Sequence, residues 1–139
     1  KLFASPQHKI DSLQQFFKLI VLNNRLQNGD AHLKNFGLLY EDIDSIRLAP
    51  AFDVVSTTAY IKSDVPALTL LGSKKWQSKT ALIKFAVESC DLTKKVADQL
   101  YGECDLALSQ VRMQLKKRLL KEKAIDKQKI LSHLVALMA

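Results

Sequence analysis

The chain is poor in the residues that cross-link or break a fold. Its 139 residues include two cysteines, three prolines, four glycines and one tryptophan. Two cysteines, Cys90 and Cys104, cannot form a disulfide framework, so both are expected to be reduced, small core residues. The histidines at positions 8, 32 and 133 are too scattered to form a metal motif by their spacing. These shortages argue against a disulfide scaffold and against a zinc domain.

Long hydrophobic runs are also missing. No apolar stretch approaches the roughly 20 residues that a membrane-spanning helix requires, and the start of the chain has no signal-peptide pattern. We therefore expect a cytoplasmic protein with no membrane contact. The chain begins at Lys1-Leu2-Phe3 without an initiator methionine, which is typical of a piece of a longer protein or of a trimmed one.

Positive charge is in excess, but only in one half of the chain. Residues 1–70 hold seven Lys or Arg and seven Asp or Glu, whereas residues 71–139 hold fourteen basic and seven acidic residues. The second half therefore carries the whole net charge of +7. A solvated helix face explains such a surplus, and attraction to nucleic acid or to an acidic protein is the alternative.

The hydrophobic pattern predicts one mainly α domain, residues 1–139, with a small β-hairpin. A first helix is expected from an N-cap at Asp11 or Ser12 to about residues 25–27. Residues 36–40 and 46–49, joined by a polar turn, predict the two strands of the hairpin. Three further helices are expected, with N-caps at Ser78 or Thr80, at Thr93 and at Asp126.

Two short segments at the ends of this hairpin carry the chemistry. They are Asn28-Gly-Asp-Ala-His-Leu-Lys-Asn-Phe36 and Arg47-Leu-Ala-Pro-Ala-Phe-Asp-Val-Val-Ser56. The spacing from Asp30 to Asn35 matches the catalytic loop of protein kinases, in which an Asp accepts the substrate hydroxyl proton and an Asn holds magnesium. A second Asp on a following strand, here Asp53, also holds magnesium in those enzymes. Hard divalent ions with oxygen ligands suit a reaction whose charge lies on phosphate oxygens.

Asp53 follows Phe52 and precedes two valines, so it is expected to be a poorly solvated carboxylate. A buried carboxylate is costly unless it is paired or bound to a cation. This context favours a role as a metal ligand.

The same residues resemble the C-terminal part of HipA-type toxin kinases, the Ser/Thr kinases of bacterial toxin–antitoxin modules. The resemblance rests on residues 29–36 and 48–56, and more weakly on Leu68-Thr-Leu-Leu-Gly-Ser-Lys-Lys75. Gly29 stands where a typical kinase has an Arg before the Asp, and Val54-Val55 stand where Phe-Gly would follow Asp53. Both departures fit the HipA pattern. The resemblance implies a protein-kinase-like C-terminal lobe of the HipA C-terminal type.

The resemblance implies roles for five side chains. Asp30 would be the catalytic base, and Asn35 and Asp53 would be the magnesium ligands. His32 stands where ordinary kinases have a Lys that contacts the transferring phosphate, so it would position that group or be a satisfied loop histidine. Lys34 would have an electrostatic or structural role beside the bound ATP.

A kinase also needs a nucleotide-covering loop and a Lys that pairs with the α- and β-phosphates. The four glycines are dispersed, and no Val-Ala-x-Lys-like strand precedes residue 11. We therefore expect the catalytic-loop lobe alone, inactive or nearly so, with ATP bound only together with a missing N-terminal lobe. The resemblance further implies Mg²⁺ and ATP as cofactors, a protein substrate such as an aminoacyl-tRNA synthetase, and a DNA-binding antitoxin as a partner.

Two alternatives to a kinase stay open. A non-catalytic helical interaction module could keep this lobe as a binding surface. The basic second half could instead belong to a nucleic-acid-binding domain, although no helix-turn-helix or zinc signature supports that function.

Overall fold

The computed structural model describes residues 2–139, and Lys1 lies outside the described residues. The regular structure of the described part comprises α1 Pro6–Arg25, β1 Leu38–Leu39, β2 Arg47–Leu48, α2 Lys79–Ser89, α3 Lys94–Leu119 and α4 Ile125–Leu137. Two single 3₁₀ turns, Leu33–Asn35 and Thr57–Ala59, lie near the ends of the hairpin segment. The predicted mainly α architecture with a small hairpin is confirmed. Among residues 2–139, no helix combines the length and apolar character needed to cross a membrane.

The first helix begins earlier than predicted. An N-cap at Asp11 or Ser12 is wrong, because the Ser5 side chain caps the helix by accepting a hydrogen bond from the His8 amide at 3.3 Å. Pro6 suits the first helical position, since its fixed φ is helical and its missing amide would have had no partner. Ser12 lies inside the helix and is buried.

The later helices follow the predicted caps with one exception. Ser78 and Thr93 cap α2 and α3, and each accepts a hydrogen bond from the amide three residues later. The prediction of an N-cap at Asp126 is wrong, because α4 begins after Ala124. Asp126 lies in the first turn of α4, where its negative carboxylate interacts favourably with the positive end of the helix dipole.

The core lies between α1, α2 and α3. Its fully buried side chains include Phe17 and Val21 of α1 and Leu82 of α2. Cys90 and Cys104 belong to the same cluster, and both are free and buried, as predicted. Burial raises the pKa of each thiol to about 11, so both are neutral near pH 7.

The hairpin is short and is held against α1. Its strands contain only the pairs Leu38 with Leu48 and Leu39 with Arg47, fewer than predicted, and such a ladder is marginal by itself. Two side chains of α1 add to it. Ser12 Oγ accepts a hydrogen bond from the Leu48 amide at 3.0 Å, and Gln15 Nε2 donates to the Ala49 carbonyl at 2.7 Å. The helix therefore fixes the hairpin whose two ends carry the site residues.

Candidate functional site

The hairpin brings Asn35 and Asp53 into direct contact. Asn35 Nδ2 donates a hydrogen bond to Asp53 Oδ2 at 2.8 Å, across 18 positions of sequence. Asn35 is only 6% exposed, and its Oδ1 accepts a hydrogen bond from the His32 amide at 3.2 Å. A carboxamide oxygen has two lone pairs, and the second Asp53 oxygen adds further acceptor capacity. The two side chains predicted to bind magnesium are thus adjacent and can each offer an oxygen to a cation.

The prediction of a poorly solvated Asp53 is wrong. Asp53 is exposed, and the preceding Phe52 is 47% exposed as well. The chain turns at Asp53, where φ is 55°, and the next residue, Val54, packs partly inside instead. Asp tolerates this left-handed backbone better than most residues, although such a conformation still costs about 1 kcal/mol. The carboxylate is therefore within reach of solvent and of a bound ion.

A buried carboxamide, Asn28, joins these residues to the Asp30 loop. Asn28 is 2% exposed, and its Nδ2 donates to Asn23 Oδ1 at 2.8 Å and to the Asp53 carbonyl at 3.4 Å. Its Oδ1 accepts a hydrogen bond from the Asp30 amide at 3.1 Å. The sequence places Asn28 at the start of the first motif but gives it no role of its own. Its five-residue distance from Asn23, on the otherwise apolar face of α1, is the signal that could have identified it.

Thr57 fixes the turn that precedes Asp30. Its Oγ1 accepts a hydrogen bond from the Gly29 amide at 2.8 Å and donates one to the Gln27 carbonyl at 3.2 Å. A Cβ at Gly29 would overlap the Asp64 carboxylate, so a side chain there would require Asp64 to move. The segment that follows Asp53 therefore packs directly on the turn before Asp30, a contact that the sequence pattern does not indicate.

Asp30 and His32 lie at the surface of this arrangement. The Asp30 side chain is 66% exposed, and its Oδ1 lies 3.9 Å from His32 Nε2, whose side chain is 44% exposed. An open carboxylate can accept a proton from an approaching hydroxyl, and an imidazole beside it can contact a neighbouring anion. Lys34, in the 3₁₀ turn, is exposed too.

The donor set suits a magnesium–phosphate complex better than a metal held by protein alone. In the part of the chain that the structure describes, no group of three or more His, Cys, Asp or Glu could hold a metal ion. Asn35 and Asp53 supply two oxygen-bearing side chains at hydrogen-bond distance. Mg²⁺ commonly binds one or two carboxylates and completes its octahedron with phosphate oxygens and water. The residues present fit this cation.

A family model described as HipA-like C-terminal domain matches residues 2–111. The chain belongs to this family. The match covers both site segments of the HipA-like domain and ends within α3, so α4 lies outside it. The family resemblance seen in the two motifs is confirmed.

A curated relative carries a kinase name. The protein named "Putative kinase Y4dM" of Sinorhizobium fredii is 36% identical over 85 residues, which make up 59% of this chain and 20% of the relative. The HipA-like domain therefore spans about a fifth of the length of that relative.

Proposed function

We propose that this HipA-like domain is the catalytic lobe of a Ser/Thr protein kinase that transfers the γ-phosphoryl group of ATP to a protein hydroxyl. The contact of Asn35 with Asp53 at 2.8 Å carries the proposal. An Asn that only capped a strand would need no carboxylate from a segment 18 residues away. Asn28 links the Asp30 amide to the Asp53 carbonyl, so all three residues share one hydrogen-bonded unit.

Each side chain has one task in this mechanism. Asp30 orients the substrate hydroxyl and accepts its proton. Asn35 and Asp53 hold Mg²⁺, which when bound neutralises charge on the phosphate oxygens. His32 positions the transferred group, and Lys34 adds positive charge beside the nucleotide. Because Asp30 is exposed, a hydroxyl on another protein can reach it.

The complete reaction requires parts from outside residues 1–139. A nucleotide-covering loop and a Lys for the α- and β-phosphates are needed. We propose that an N-terminal lobe supplies them and that the isolated domain is inactive or nearly so. On the family resemblance we further propose a bacterial, cytoplasmic toxin restrained by a DNA-binding antitoxin, with a substrate in translation such as an aminoacyl-tRNA synthetase.

The base is tested by Asp30→Ala in the full-length protein. A general base contributes about 10²–10⁴-fold to the rate, so phosphorylation and any growth toxicity should be lost while the variant stays folded. The matched control is Asp44→Ala, since Asp44 is an exposed carboxylate in the hairpin turn. Autophosphorylation that survives in the Asp30 variant would show that this residue is not the base.

The metal ligand is tested by Asp53→Asn. The substitution keeps the shape of the side chain and removes its charge, so the magnesium concentration that gives half-maximal activity should rise. A magnesium titration that matches the unaltered protein would remove Asp53 from the ligand set.

A non-catalytic interaction module is the second candidate. Exposed apolar side chains on the hairpin favour it, since Tyr40 is 70% and Ile43 is 75% exposed. Calorimetric titration of the full-length protein with nucleotide and magnesium separates the two functions. Magnesium-dependent binding that Asp53→Ala abolishes supports the kinase, and its absence supports the module.

A further inference from the structure

A groove lies between the turn after Asp53 and the last helix. It has a volume of about 590 Å³, within the range typical of ligand-binding clefts. One wall comes from the 3₁₀ turn Thr57–Ala59 and the residues after it, and the other comes from α4. The lining includes Thr58, Ala59, Lys62, Ile125, Lys129 and His133.

A partly buried hydrogen bond holds the two walls of the groove together. Thr58 is 2% exposed, and its Oγ1 lies 2.9 Å from His133 Nε2 on α4. Thr58 therefore ties the 3₁₀ turn to α4 by a contact that spans 75 positions of sequence. The fold itself therefore holds the two walls of the groove in place.

The walls of the groove carry positive charge on both sides. Lys62 stands on one wall and Lys129 on the other, and no Asp or Glu lines the groove in the described part of the chain. Neither lysine forms an ion pair within residues 2–139. The stretch that leads into and begins α4, residues 116–129, holds seven Lys or Arg and two Asp or Glu, so the field at this end of α4 attracts anions.

The groove adjoins the proposed catalytic loop. Thr57 accepts the hydrogen bond of the Gly29 amide, one residue before Asp30, and the next residue, Thr58, lines the groove. The groove is therefore connected to the catalytic loop through two consecutive residues, Thr57 and Thr58.

We propose that this groove docks an acidic segment of the protein substrate, and the proposal rests on the kinase function stated above. The two ammonium groups would face Asp or Glu side chains of the segment. Ile125, which is 67% exposed, and Ala59 would contact an apolar residue beside them. The apolar contact favours a peptide over duplex DNA, whose phosphate backbone offers no such side chain. Because α4 lies outside residues 2–111, the family match does not account for the wall of the groove that α4 provides.

The test uses the full-length protein and a fluorescein-labelled peptide of eight residues, seven Glu and one central Leu. Fluorescence anisotropy gives the affinity for the unaltered protein and for Lys62→Glu with Lys129→Glu. Two charge reversals in a groove should weaken binding by about tenfold or more. The neutral pair Lys62→Gln with Lys129→Gln should show a smaller loss, and it keeps the test valid if the reversed pair folds poorly.

The matched control is Lys94→Glu with Lys95→Glu, two exposed lysines at the start of α3 that make the same charge change away from the groove. This pair should alter the affinity by less than about twofold, as exposed charges usually do. Equal weakening by both pairs would show diffuse attraction and overturn the docking site. If duplex DNA displaces the labelled peptide at a lower concentration than unlabelled peptide of equal charge does, the docking site is also overturned and the groove is a nucleic-acid-binding surface.

Calorimetry with ATP and magnesium on the same variants separates this proposal from the kinase function. The lysine variants should bind the nucleotide as the unaltered protein does. If the unaltered protein binds the acidic peptide through these lysines but does not bind ATP, the peptide-binding site is confirmed and the kinase function is contradicted.

Discussion

Among single residues, Asn28 does most to connect the site. Its one side chain serves the end of α1, the amide of Asp30 and the carbonyl of Asp53. The sequence predicts Asp30, Asn35 and Asp53 as a group because their spacing is local and recognisable. It does not predict Asn28 or Thr57 as connectors, because their partners depend on how distant segments pack.

Replacing Asn28 by Ala leaves the Asp30 amide and the buried Asn23 side chain without their partner. Such losses cost about 1–3 kcal/mol of folding free energy, and the loop should also lose its alignment, so the phosphorylation rate of the full-length protein should fall. Asn24→Ala is the matched control, since Asn24 exchanges two hydrogen bonds with the backbone of Gln77 at 3.0 and 2.7 Å. Chemical denaturation and kinase assays on both variants check the prediction. Equal activity at equal stability would reduce Asn28 to a purely structural residue.

The contact of Gly29 with Asp64 predicts that the effects of substituting the two positions are coupled. Gly29→Ala should destabilise the protein because the new methyl group would displace the Asp64 carboxylate, which accepts a hydrogen bond from the Val65 amide. Adding Asp64→Ala should recover part of the loss, with a coupling energy of about 0.5–3 kcal/mol in a double-mutant cycle. Gly102→Ala is the control: Gly102 lies in α3 with nothing within 4 Å of its would-be Cβ. Gly102→Ala should stabilise the protein by about 0.5–1 kcal/mol. If the effects of Gly29→Ala and Asp64→Ala on the free energy of unfolding are additive, the proposed contact between the two residues is contradicted.

Among the elements, the helices were the easiest to predict and their starts the hardest. Periodic apolar residues indicated all four helices, and Ser78 and Thr93 were recognisable caps. Ser5-Pro6 shows why: Ser before Pro is a common chain break and also a favourable helix start, and the local pattern does not separate the two. The hairpin lies where the sequence predicts it, but its support by Ser12 and Gln15 is not predicted, because the pattern of a helix does not indicate which segment packs against it.

The support of the hairpin by α1 can be tested by hydrogen exchange. Ser12→Ala removes the acceptor of the Leu48 amide, so that amide should exchange faster, and Gln15→Ala should loosen the strand at Ala49. Because Asn35 and Asp53 lie at the two ends, magnesium dependence should weaken in the double variant. Gln14→Ala, one position from Gln15, is the control and should leave the exchange at Leu48 unchanged. Protection that stays at Leu48 in the Ser12 variant would show that the ladder needs no help from α1.

For the whole molecule, the two core thiols predict how stability depends on alkaline pH. Burial raises the pKa of Cys90 and Cys104 from 9.0 to about 11. The unfolded chain therefore releases these protons first as pH rises, so their contribution is complete below pH 9 and is lost as pH rises towards 11. Urea denaturation at pH 7, 9 and 10.5 should show a falling midpoint. The variant with Ala at both positions should be less stable but should show a shallower decline, and equal slopes would contradict the assignment.

At Asp53 the left-handed backbone limits which residues fold well, whereas a metal site needs a negatively charged oxygen ligand there. Asn adopts φ near 55° as readily as Asp and keeps an oxygen that accepts the Asn35 hydrogen bond, yet it has no negative charge to offer a cation. Variants selected only for resistance to heat should therefore accept Asn at this codon, whereas selection for phosphoryl transfer should restore Asp. Sequencing the two selected populations would show the same position moving in opposite directions.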